Sequence, residues 1–94
     1  MGIKSFKSPE LQHILDRKRP RSFPSDLVNI TRRKLVMLAA ASQLQDLRAP
    51  PANRLEALKG DRAGQHSIRV NDQFRLCFRW TDSGAEDVEF VDYH

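Results

Sequence analysis

Cysteine occurs once, at Cys77, so no disulfide can close within the chain, and a lone thiol suits a reducing compartment. Long apolar runs are missing. The longest, Leu35 to Ala41, is far too short to cross a bilayer, and Met1 to Phe6 lacks the apolar stretch of a secretory signal. Phe6 also stands where a myristoylation pattern needs Ser or Thr. A cytoplasmic protein with no membrane association is expected. His13, His66 and His94 show no metal-ligand spacing among themselves or with Cys77, so neither a zinc site nor another cofactor is expected. Ser67 adjoins His66, but neighbours on a strand face opposite ways, which rules out a hydrolase dyad there. No internal repeat or low-complexity tract is present.

What the chain does have is positive charge. Lys and Arg outnumber Asp and Glu by 16 to 12, for a formal charge of +4, which makes a polyanionic partner plausible without selecting RNA, DNA or neither. With 94 residues, residues 1–94 form one domain, because half of it would bury too little surface to offset backbone entropy. An apolar fraction of 39% against 30% charged residues fits a folded chain rather than a disordered one.

Ile3 to Phe6 reads as a short first strand. Ser8 as N-cap and Pro9 at the first helical position predict a helix through Leu15. Asp16 to Ser25 carries Arg17, Lys18, Arg19 and Arg21 with Pro20 and Pro24, and reads as a mobile basic loop that only Phe23 could anchor. Leu27, Ile30, Leu35, Leu38 and Ala41 share one side of a helical wheel, which predicts the main helix over 25–42. Lys34 falls inside this stripe, and snorkelling at its edge is the ordinary explanation. Leu44 to Leu47 can add a helical turn before Pro50 and Pro51 start an extended connection. Arg54 to Leu58 reads as a strand, followed by a turn over 60–64. Alternation then predicts three more strands, one holding Ile68 and Val70, one with Phe74, Leu76, Phe78 and Trp80, and one with Val88 and Phe90. Helices first and strands afterwards predict an α+β domain with helices on one face of a twisted antiparallel sheet.

Register in the hairpin bears on function. A two-residue loop at Asn71 and Asp72 would set Ile68 against Arg75. A three-residue loop over 71–73 sets Val70 opposite Phe74 and Ile68 opposite Leu76, so the apolar faces match. It also puts Arg69 directly across from Arg75 on the uncovered face. Like charges so placed need an anion, a carboxylate neighbour or ready solvent, and a phosphate would serve.

The stretch Leu58-Lys-Gly-Asp-Arg-Ala-Gly-Gln-His-Ser-Ile-Arg-Val-Asn-Asp-Gln-Phe-Arg-Leu-Cys-Phe-Arg-Trp80, the terminal Val91-Asp-Tyr-His94 and the opening Ile3-Lys-Ser-Phe6 closely resemble the HigB branch of the RelE/ParE toxins. The resemblance implies a compact RelE/ParE-like domain and a toxin of a type II toxin-antitoxin system. It further implies an endoribonuclease active on messenger RNA in the ribosomal A site, and a HigA-type helix-turn-helix antitoxin through which alone DNA would be met. Metal-independent RNA cleavage needs a base for the 2′-hydroxyl, cations for the developing phosphorane and an acid for the leaving 5′ oxygen. Glu56, three residues before Lys59, stands where several superfamily members carry a His or Glu, and so resembles their base. A plain exposed strand residue is the alternative reading of Glu56. Lys59 and Arg75 match the family's basic positions and would clamp the scissile phosphate. Arg69 joins them as an RNA contact on the register argument alone. In the tail, His94 resembles the general acid, Tyr93 could stack on a base of the message, and Asp92 could orient His94 or Lys59. Which of Glu56 and His94 is the general base stays open. Two other readings are a ParE-like gyrase poison, which shares the fold but cuts nothing, and a basic RNA-binding module that disturbs ribosome assembly without cutting. The gyrase-poison reading leaves the Asp-Tyr-His tail and the Glu56 to Lys59 spacing without a purpose.

Overall fold

The computed structural model describes residues 2–92; Tyr93 and His94 lie outside the described residues. Helices α1 (Pro9–Leu15) and α2 (Val28–Ala40) pack on one face of an antiparallel sheet of β1 (Glu56–Ala57), β2 (His66–Arg69), β3 (Phe74–Thr81) and β4 (Gly84–Asp92), in the spatial order β1-β2-β3-β4. This is the α+β arrangement expected from the order of apolar patterns. Period-two alternation brings Ile68, Val70, Leu76, Phe78 and Val88 to the helix side, where they meet Leu11 and Ile14 of α1 and Val28, Leu35 and Leu38 of α2 in one buried core. Each of these side chains contributes about 1.5–3 kcal/mol by leaving water.

The hairpin has the three-residue loop. Ile68 pairs with Leu76 and Arg69 with Arg75, while the amides of Val70 and Asn71 both donate to the Phe74 carbonyl at 2.9 and 3.2 Å. Asn71 shapes the loop itself, its Oδ1 accepting from the amides of Gln73 and Phe74 at 2.9 and 2.7 Å.

The remaining elements depart from expectation where side chains compete for the backbone. Ile3 and Phe6 form only isolated parallel bridges, to Ala85 and Val88 of β4. They straddle a bulge in the β3–β4 pairing, where Asp87 has φ +53 and its amide donates to Ser5 Oγ at 2.9 Å. Gly84 is required there, because a Cβ on it would collide with the Gly2 carbonyl oxygen. Ser8 stands at the N-cap position of α1, yet its hydroxyl accepts from the Phe90 amide of β4 at 3.1 Å instead of capping the helix.

The expected helix over 25–42 opens as a 3-10 turn at Ser25–Leu27 and ends at Ala40. It ends there because Asp46 Oδ2 takes the amides of Ser42 and Gln43, starting a separate 3-10 segment at Leu44–Arg48. Pro51–Asn53 is another 3-10 turn rather than an extended connection, and Arg54 after it is left-handed at φ +45. The expected strand over 54–58 therefore shortens to Glu56–Ala57. The basic segment over 16–25 is tied down rather than mobile. Phe23 packs on Phe90 at 4.5 Å between ring centroids, Arg19 donates to Asn29 and the Ser25 carbonyl, and Arg32 donates to the Ile14 and Lys18 carbonyls.

Lys34 corrects the snorkelling expectation. It is buried, at 7% exposure, and its ammonium donates to Oδ1 of the fully buried Asn53. Asn53 Nδ2 in turn donates to the Leu47 and Ala49 carbonyls at 3.1 and 3.3 Å, gathering the proline-rich connection under α2. The wheel misses this because the buried stripe of α2 runs through Val28, Thr31, Lys34, Leu35 and Leu38, slightly rotated from the apolar residues alone. Burial, aided by Arg33 and Arg69, holds the Lys34 pKa below the ordinary lysine range.

Asn53→Ala strands the ammonium and two carbonyls, so urea unfolding should show a loss of about 2–4 kcal/mol. Lys34→Met added to Asn53→Ala should recover part of it, since the unpaired charge is then gone. A pH dependence follows as well. The folded chain binds the Lys34 proton more weakly than the unfolded chain does, so the penalty is complete below the depressed folded pKa. It fades as pH rises from there to the ordinary lysine value. The stability of the wild type relative to Lys34→Met should therefore rise with pH through that window.

Candidate active site

The face turned away from the helices carries the charged residues. Pairing aligns Glu56 of β1 with Ser67 of β2, Ser67 with Cys77 of β3, and Cys77 with Glu89 of β4, so these four form one cross-strand row. The next row toward the hairpin loop holds Arg69, Arg75 and Val91. His66 and Phe78 alternate to the helix side, their rings 6.5 Å apart, so His66 and Ser67 do face opposite ways.

Arg69 and Arg75 relieve their juxtaposition by diverging. Arg69 Nη2 pairs with the carboxylate of Asp72 in the hairpin loop, which supplies the carboxylate neighbour the register called for. Asp72 is almost fully exposed, so the pair itself adds little stability. Arg75 reaches the other way, across β2. Its Nε donates to Ser67 Oγ at 2.7 Å and its Nη2 to the Arg54 carbonyl at 2.6 Å, two residues before Glu56. Because adjacent strands lie about 4.8 Å apart, a side chain rooted on β3 arrives over the start of β1.

Glu56 and Lys59 are both exposed and line one shallow groove with Ala57 and Leu58 along the β1 edge. Leu58 holds this stretch in place, being buried outside the main core and donating its amide to the Gln65 carbonyl at 2.9 Å. Lys59 then opens the 3-10 turn Gly60–Arg62. From that turn Arg62 pairs with Glu89 at 3.0 Å and donates to Gln65 Oε1 at 3.2 Å.

Cys77 lies buried beneath these groups. Burial above all raises its thiol pKa, with Arg62 opposing, Glu89 reinforcing, Arg75 opposing and Glu56 reinforcing. Two cations and two carboxylates thus surround one neutral thiol, which packs the face and is not poised as a nucleophile.

Glu56 and Arg75 therefore share one face with Ser67 between them, and Arg69 lies in the same row as Arg75, whereas Lys59 follows Glu56 along the β1 edge away from the hairpin loop. Asp92 does not share their face. It pairs with Phe74 on β3, which alternates to the helix side, and its carboxylate accepts from Gln73 Nε2 at 3.0 Å. Tyr93 and His94 fall outside the described residues. Among those residues, no three His, Cys, Asp or Glu side chains group as a metal ion would need. No described helix is long and apolar enough to cross a membrane.

Sequence reasoning weighed Ser67 only as a hydrolase nucleophile and dismissed it, and it passed over Arg54, Arg62 and Glu89. Ser67 was within its reach, since the register that pairs Arg69 with Arg75 also puts Ser67 on the same face. The other three were not. Arg62 and Glu89 are 27 residues apart and meet through a turn, and Arg54 contributes a carbonyl that carries no sequence signal.

Comparison with known proteins gives a consistent result. Residues 4–94 match the model of the HigB-like toxin family, described as RelE-like toxins of the type II toxin-antitoxin system HigB. A protein of Vibrio cholerae named "Toxin HigB-1" is 48% identical over 90 residues, covering 95% of this chain and 94% of that protein. "Endoribonuclease HigB" of Proteus vulgaris is 29% identical over 92 residues, covering 98% and 99%. With a match over nearly the full length and charged residues gathered on one open sheet face, the chain belongs to the HigB-like family of RelE-like toxins of type II toxin-antitoxin systems.

Proposed function

We propose that this toxin is an endoribonuclease that cuts messenger RNA in the ribosomal A site of the cytoplasm, and that a HigA-type helix-turn-helix antitoxin silences it and provides its only link to DNA. One observation carries the reading: the Arg75 guanidinium lies across β2 toward the chain segment that bears Glu56 and Lys59. A cation bonded to the cross-strand partner of a carboxylate, with a lysine farther along the same edge, suits a phosphodiester about to be attacked from its own 2′ oxygen. The name of the Proteus vulgaris relative agrees with it.

In this mechanism Glu56 takes the 2′-hydroxyl proton and the 2′ oxygen attacks phosphorus. Lys59 and Arg75 hold the non-bridging oxygens as charge accumulates on them. The bond to the 5′ oxygen breaks, and that oxygen takes a proton from His94, leaving a 2′,3′-cyclic phosphate and a 5′-hydroxyl. Tyr93 stacks on a neighbouring base, Asp92 orients the tail and Arg69 contacts the backbone of the message. Arg rather than Lys at position 75 suits bidentate contact with phosphate.

Arg75→Ala should lower cleavage of ribosome-bound message by about 10²- to 10³-fold, and Glu56→Gln by about 10²- to 10⁴-fold. Chemical identification of the new ends should find the cyclic phosphate. Removing Tyr93 and His94 should abolish toxicity while the melting temperature and antitoxin affinity stay near those of the full chain. Primer extension on cellular messages after induction checks this, and an unchanged cleavage pattern in the shortened protein would sink the assignment of the tail. Trapped gyrase complexes in a supercoiling assay would instead favour a ParE-like poison.

A further inference from the structure

We infer that Ser67 is a positioning residue for the nuclease reaction, acting through Arg75. The inference rests on the nuclease reading above and extends it to a residue with no assigned part in the chemistry. Ser67 is fully buried, yet it belongs to the charged face and not to the hydrophobic core cluster. A buried hydroxyl persists where it has a partner, and here Ser67 Oγ accepts from Arg75 Nε at 2.7 Å. The geometry follows from the register. Ser67 faces Cys77, and Arg75 stands two residues before Cys77 on the same side of β3, so Ser67 and Arg75 are diagonal neighbours.

The guanidinium is held by Nε to Ser67 Oγ, by Nη2 to the carbonyl of Arg54 at 2.6 Å and, at the longer distance of 3.5 Å, by Nη2 to the Ser67 carbonyl, which Ser67→Ala leaves in place. The Arg54 carbonyl depends on a left-handed backbone at φ +45, whereas the Ser67 bond depends on a side chain and can be removed alone. These acceptors are neutral oxygens. Ser67 thus removes the rotamer freedom that a long side chain would otherwise lose on meeting a phosphate. Its effect should fall on the rate of the chemical step more than on substrate affinity.

Single-turnover cleavage of message on programmed ribosomes tests this with Ser67→Ala, Arg75→Ala and the double variant. Ser67→Ala should lower the cleavage rate about 10- to 100-fold, the range of a hydrogen bond to a charged group, while KM moves less than about threefold. In the Arg75→Ala background the same change should cost nothing further. Nitrogen-detected NMR of the arginine side chains should find a protected Arg75 Nε–H in the wild type and a rapidly exchanging one in Ser67→Ala. If Ser67→Ala does not fold, Ser67→Cys keeps the volume with a much weaker acceptor and takes its place. An equal loss in both backgrounds, or an unprotected Nε–H in the wild type, overturns the inference. If the wild type cuts no ribosome-bound message, the nuclease reading fails instead, and the NMR comparison still decides whether Ser67 holds the guanidinium.

Discussion

Pairing of Ile68 with Leu76 across the β2–β3 hairpin decides what every other side chain of the two central strands faces. Alternation has a period of two, so a slip of one residue would carry Ile68 and Val70 out of the core and bury Arg69. The loop over 71–73 prevents the slip through the Asn71 side chain, which holds the amides of Gln73 and Phe74. With the register set, Leu76 and Phe78 meet the helices, and Arg75 and Cys77 are left on the other side.

The two faces of the sheet then carry different physics. On the helix side the one buried charge, among the described residues, is Lys34, which is tolerated because Asn53 accepts from it and connects it to the backbone carbonyls of Leu47 and Ala49. On the far side charge is dense but shallow, balanced by Asp72 for Arg69 and by Glu89 for Arg62. Arg75 is oriented on the same face by bonds from its Nε and Nη2 to Ser67 and Arg54.

The outer strands finish the arrangement by unlike means. At the β4 edge the N-terminal segment docks in parallel beside the bulge at Asp87, and Ser8 lends its hydroxyl to Phe90. At the β1 edge only two residues form a strand, because Arg54 turns left-handed just before it, and the same turn offers the carbonyl that Arg75 uses. Glu56 and Lys59 lie exposed along one groove at this edge.

Much of this could be read from the residues. Apolar alternation in Phe74, Leu76 and Phe78 determined the sheet, the mismatch of Ile68 with Arg75 determined the loop length, and those two together placed Arg69 opposite Arg75. The positions of Glu56, Lys59 and Arg75 along the chain were likewise legible as a family resemblance. Only the tertiary structure decided where the polar side chains went: Lys34 to Asn53, Arg69 to Asp72, Arg75 to Ser67 and Arg54, and Asp92 to the opposite face from Arg75. Hydrophobic burial repeats with the period of the backbone and so leaves a pattern in the sequence. A hydrogen bond between residues far apart in the chain depends on two particular atoms meeting, and no local pattern records it.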